Sequence, residues 1–157
     1  MFSLRGPLTW GLAALALGGL FAIQDGIRPR AGPGVLTRSA HDIQDMLPGA
    51  WLREYSADGV RVRRVLTLDA DGTFQESVRA VDAQGAETRF EHEGTWLYDG
   101  TNLKRKYTLM NGKPPSRLNV PFATFEIKFE TRNEFRGVDH VHRNKVLYRR
   151  VAFDERP

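Results

Sequence analysis

The chain has 157 residues, 41% of them apolar and 27% charged, with a net charge of +4 and no cysteine. That length carries one globular domain and an appendage, and the composition excludes a disordered chain. The missing thiols exclude a disulfide framework, a cysteine zinc site and thiolate catalysis, and the small charge excess without a recognition motif excludes nucleic acid as a partner.

Leu8 to Ile23 is uncharged and mostly apolar, with Arg5 before it and Arg28 and Arg30 after it. As a helix it spans about 24 Å, slightly short of a ~30 Å hydrocarbon core. Residues 1–24 therefore read as a signal anchor, or as a signal peptide whose best small-x-small cleavage site, Leu20-Phe21-Ala22, is poor at its first position. Either way, residues 8–23 predict a membrane encounter and export. Residues 25–38 form a linker that Gly and Pro keep from holding a helix. Ser39 to Leu47 then reads as one short helix. Ser39 is its N-cap with Asp42 three residues on, and Ile43, Met46 and Leu47 share a stripe. Pro48-Gly49 ends it.

From Ala50 onward the hydrophobic period is two. Strands are expected at Trp51–Tyr55, Arg61–Leu68, Thr73–Val81, Glu87–Tyr98, Thr101–Met110, Pro121–Glu130, Glu134–Val138 and Lys145–Val151. Asp58-Gly59, Asp71-Gly72, Gln84-Gly85 and Asp99-Gly100 supply turns suited to hairpins. The longest loop, Asn111 to Asn119, contains Pro114-Pro115. Eight strands joined by short connections, with no crossover helix, predict an all-β, antiparallel up-and-down barrel over residues 39–152, followed by a tail at 153–157. Closure hides the sheet edges.

Alternation places Phe74, Val78 and Ala80 on one face, as it does Leu103, Tyr107 and Leu109, and Phe125, Ile127 and Phe129. Gly94 reads as a bulge that re-phases the long fourth strand, turning Phe90, Trp96 and Tyr98 inward. Arg64, Glu76, His92 and Arg105 share strand faces with these core residues. Two readings account for them: a solvated rim at one barrel end, or an amphipathic cavity for a ligand with a carboxylate-like head group. Glu76 is available to pair with Arg64 or Arg105, as a buried charge requires. The candidate ligand-binding residues are Arg64, Phe74, Glu76, Trp96, Arg105, Tyr107 and Phe125.

Gly49-Ala50-Trp51 after a short helix, eight meander strands and the Arg149-Arg150 pair on the last strand together resemble the lipocalin-like, or calycin, barrels. The likeness is strongest to small bacterial lipocalin-like domains. The resemblance implies that Trp51 closes the barrel bottom with Gly49 beside it, and that Arg149 or Arg150 packs over its ring. With the apolar segment at residues 8–23, the expected location is the bacterial inner membrane facing the periplasm, or the periplasm if the signal is cleaved. The chain departs from lipocalins proper in two ways. Tyr55 to Arg61 leaves only a tight turn where they carry a long lid loop, and their Thr-Asp-Tyr-type loop motif is missing.

His140 and His142 have His-x-His spacing, usable by a metal, though no third ligand lies nearby in sequence and a solvated turn explains them more simply. No Gly-x-Ser-x-Gly elbow, phosphate loop, His-Glu-x-x-His helix or Rossmann fingerprint occurs, so no catalytic residue is assigned and no cofactor is expected. The leading expectation is a membrane-anchored or exported barrel binding a small apolar or amphipathic ligand. The runner-up is a non-enzymatic interaction module, an accessory subunit docking on a larger membrane protein complex through its outer face or anchor.

Overall fold

The computed structural model describes residues 39–118, 120–141 and 143–157. The predicted signal or anchor (1–24) and linker (25–38) lie outside the described residues. The single helix α1 (Ala40–Met46) precedes eight strands: β1 (Gly49–Ala57), β2 (Val60–Leu68), β3 (Thr73–Val81), β4 (Glu87–Tyr98), β5 (Asn102–Met110), β6 (Phe122–Thr131), β7 (Glu134–Asp139) and β8 (Lys145–Val151). Each strand pairs antiparallel with the next, and β8 returns to β1, so the sheet is a closed barrel in the order β1 to β8. The fold class expected from the period-two pattern is the one found.

Short helices are marginal in isolation, and α1 is held by its cap and by the barrel beneath it. The Asp42 N–H donates to Ser39 Oγ at 3.1 Å while Asp42 Oδ2 accepts from the Ser39 N–H at 3.1 Å, completing a reciprocal capping box. Ile43 and Met46 pack on the core, and Leu47 is fully buried. The helix therefore covers the barrel end made by the start of β1 and the end of β8. We call this the closed end.

A dense core sits beneath α1. Trp51 meets Phe135 and Phe129 edge-on at centroid distances of 4.8 and 5.8 Å, and Phe135 stacks on Tyr148 at 5.0 Å. Leu66, Leu68, Phe74, Trp96, Tyr98, Leu103, Phe125, Ile127 and Val146 complete this cluster. A second, smaller cluster lies toward the opposite, open end, where Val62, Val78 and Ala80 are joined by Tyr55, Val60 and Phe90. The strand pairings are uneven. β3 and β4 stay in register over nine pairs, whereas β5–β6 holds five and the closing β1–β8 seam only three.

The bulge lies where Gly94 predicts it, but the extra residue is on the partner strand. Glu93 faces Leu109 and Gly94 faces Tyr107, leaving Thr108 unopposed on β5. β4 consequently keeps one phase, with Phe90, His92, Gly94, Trp96 and Tyr98 less exposed than their neighbours throughout. Gly94 is there for close approach: a Cβ would stand 1.9 Å from the Lys106 carbonyl oxygen and 2.7 Å from the Phe74 ring.

Candidate functional site

Strand alternation delivers four polar side chains to one level inside the barrel, between the two apolar clusters. Glu76 on β3 is 0% exposed and Arg105 on β5 is 2% exposed. These two residues are buried among core side chains, so they do not form a solvated rim. Arg64 on β2 keeps 18% of its side chain accessible, and His92 stands opposite Glu76 across the β3–β4 pair.

Glu76 is the hub of this layer. One carboxylate oxygen accepts from Arg105 Nη1 at 2.7 Å, and both accept from Arg64 Nη1 at 3.3 Å. The Tyr107 hydroxyl adds a contact at 3.3 Å. Burial alone would push the Glu76 pKa up, but Arg105 and Arg64 outweigh it and hold the carboxyl at about 2. Burial likewise opposes the charge on both guanidinia, and Glu76 overcomes it, so both pKa values are raised. His92 is pushed below the ordinary imidazole value, first by burial and then by the two arginines, with Glu76 acting against them. It is neutral at pH 7.

Arg105 is walled by aromatic rings. Its guanidinium carbon lies 5.5 Å from the Phe74 centroid, 5.6 Å from Tyr107 and 5.4 Å from Phe125, distances at which ring faces still favour a cation. Of the residues predicted to line a ligand site, Arg64, Phe74, Glu76, Arg105, Tyr107 and Phe125 thus come together. Trp96 pairs with Arg105 across β4–β5, but its indole N–H donates to the Asp69 carbonyl at 2.9 Å and belongs to the closed-end core.

This layer has more donors than acceptors. Two guanidinium charges face one carboxylate, an excess of one positive charge. Arg64 Nε, Arg105 Nε, His92 Nδ1 and the Tyr148 hydroxyl are buried without a hydrogen-bond partner. Such groups cost free energy unless something fills their valence. Tyr148 is 2% exposed and stacks on Phe135. Beside two arginines in sequence it is inconspicuous, and only the alternation Val146, Tyr148, Arg150 shows that it turns inward. Tyr55 also escapes a motif search. Its hydroxyl accepts a long, 3.5 Å bond from Arg64 Nη2, linking the layer to the mouth. A separate concavity of about 460 Å³ lies on the outer face of β1–β3, where Glu54, Ser56, Arg61, Arg63, Arg79 and Val81 alternate away from the interior.

The closing residues act together at the other end. The Trp51 indole N–H donates to the Leu47 carbonyl at 2.8 Å. Arg150, not Arg149, covers it, with its guanidinium 4.2 Å from the ring centroid. Arg150 also donates to the Pro48 carbonyl at 2.9 Å and to the Met46 carbonyl, tying α1 to β8. Gly49 makes this possible: it has φ of 139°, and a Cβ there would stand 2.2 Å from Arg150 Nη1. Arg149 faces outward, 3.7 Å from Glu54.

His140 is exposed in the β7–β8 turn, and His142 lies outside the described residues. Among the described residues no group of three or more His, Asp or Glu side chains is placed to hold a metal, and no helix is long and apolar enough to cross a membrane. No protein-family model matches the chain, and no curated protein matches it by sequence. The closed eight-stranded antiparallel barrel is compatible with the lipocalin-like fold that the sequence resembles.

Proposed function

We propose that this chain is a lipocalin-like barrel, exported or anchored at the bacterial inner membrane and facing the periplasm, that binds a small amphipathic ligand with an anionic head group. One observation carries the reading: the buried layer of Arg64, Glu76 and Arg105 holds a net positive charge, and Arg64 Nε and Arg105 Nε in it, with His92 Nδ1 and the Tyr148 hydroxyl, are buried polar atoms without partners. A carboxylate or similar anion accepts from several donors at once and balances that charge. The apolar cluster of Val62, Val78, Ala80 and Phe90 toward the mouth suits the ligand's tail, as ligand sites combine apolar walls with few polar anchors. Arg64, the partly accessible member, lies on the route between mouth and head-group site.

Three probes with one tail and different heads test this: decanoate, decanol and decyltrimethylammonium, titrated into the full-length protein. Decanoate is expected to bind at least tenfold more tightly than the others, and Arg105→Met to remove that preference. Native mass spectrometry of protein extracted from its host membrane reports the natural ligand. Equal, weak response to all three probes with no ligand mass overturns the binding reading and leaves the barrel as an interaction module.

A further inference from the structure

Charge and apolar exposure are distributed unequally over the barrel's two ends. The closed end carries Asp42 and Asp45 on α1, Asp69 and Asp71 in the β2–β3 turn and Asp99 in the β4–β5 turn, against Arg132 in the β6–β7 turn, Arg150 at the end of β8 and Lys104, which pairs with Asp99 at 2.7 Å. The β5–β6 and β7–β8 connections, at the open end, hold Lys113, Arg117 and Arg143, with Lys145 opening β8; Asp139 closes β7 beside them, and neither connection itself contains Asp or Glu. These four cations make no ion pair among the described residues. The other open-end turns, β1–β2 and β3–β4, contain Asp58 and Asp82 and share none of this character.

The same two connections expose apolar side chains. Leu118, Val120, Phe122 and Val141 each leave more than half of their surface in solvent. They are held near one another by backbone bonds. The Pro121 carbonyl accepts from the Tyr107 N–H at 2.8 Å, and the Thr124 carbonyl accepts from the His140 N–H at 3.0 Å. Phe122 opens β6 opposite Lys106, another exposed cation. Apolar exposure flanked in sequence by these cations marks an interaction surface.

We propose that this half of the open end docks on the surface of a lipid bilayer containing anionic phospholipid. Apolar tips entering the headgroup region and basic side chains near anionic lipid are the two terms that hold peripheral proteins to membranes. The acidic closed end is repelled by the same surface, so the charge asymmetry also orients the barrel. The sequence supplies the reach. The linker of residues 25–38 extends up to roughly 45–50 Å, enough to let a barrel tethered at residues 8–23 turn its open end to the membrane. This surface rests on the membrane location proposed above but not on ligand binding.

The chain has no cysteine, so Val120→Cys and Asn133→Cys each give one labelling site in the full-length protein. With an environment-sensitive fluorophore, the proteins are reconstituted into phosphatidylcholine vesicles with and without phosphatidylglycerol. The label at 120 is expected to shift to the blue and be quenched by brominated lipid when phosphatidylglycerol is present. The label at 133, in the closed-end β6–β7 turn, stays in water. Adding Arg117→Glu and Arg143→Glu to Val120→Cys should abolish the shift. Protein that floats with the vesicles while both labels remain in water overturns the docking surface and leaves the anchor intact. Protein that does not float with either vesicle overturns the membrane location as well.

Discussion

At the closed end the inward side chains are apolar, and Trp51, Trp96 and Tyr98 each place their single donor on a carbonyl. Halfway to the mouth the same alternation delivers Arg64, Glu76, His92 and Arg105 to the interior, where the donors outnumber the acceptors. One end is sealed, with both of its indole donors satisfied; the other holds charge in reserve. Nothing about barrel formation demands the second arrangement, since apolar residues of similar volume fill such a space without the cost of desolvating three ions. The difference separates residues that make the barrel from residues whose charge barrel formation does not require.

Breaking the two regions should produce different signatures. Trp51→Ala is expected to cost about 3–5 kcal/mol, because it empties the site beneath Arg150 and Leu47. Glu76→Leu should cost a similar ~3–5 kcal/mol by leaving two buried guanidinia without a counter-ion. Arg105→Met should cost less than about 2 kcal/mol, because Arg64 remains to pair with the carboxylate and the excess charge is removed. Urea melts of the three variants check this ordering. An Arg105→Met loss as large as that of Glu76→Leu would mean that the layer is balanced as it stands.

Acid should find the polar layer first. His92 is neutral in the fold and has a depressed pKa, so its contribution is complete above its ordinary value near 6.5 and declines as the pH falls below it. Glu76, depressed from 4.5 to about 2, contributes fully above 4.5 and loses that contribution between those values. Thermal melts across this range should show two steps, the upper absent in His92→Gln and the lower in Glu76→Gln. A profile unchanged by either substitution would remove the layer from the acid response. The smallest expected effect belongs to the lid: Ser39→Ala should cost about 1 kcal/mol, the usual value of an N-cap, measured in the same melts.

Much of this was legible in the residues. The eight strands, the short helix and its cap follow from the alternation, the Asp-Gly turns and the Ser39–Asp42 spacing, since each is a local rule. Gly49 and Trp51 announced the closed end. Two things escaped because they are properties of pairs of strands. Thr108 is the extra residue at the bulge, and nothing in β5 alone marks it, because the cause is the close approach of Gly94 to Lys106 on the neighbouring strand. The burial of Glu76 and Arg105 was equally hidden, because alternation gives the face of a strand and not the depth along the barrel axis. Depth is set by register, and register by the whole set of turns.

The clamp between Arg150 and the Pro48 carbonyl joins residues 102 positions apart in sequence. The β1–β8 seam beside it has only three register pairs, so side chains do much of the work of keeping it shut. Biosynthesis therefore reaches the seal last. Until β8 is synthesised, Trp51 has no cation above it, and the strand that begins the sheet has no neighbour on its outer edge. Long-range closure of this kind slows folding. The unfinished chain stays open until β8 is made.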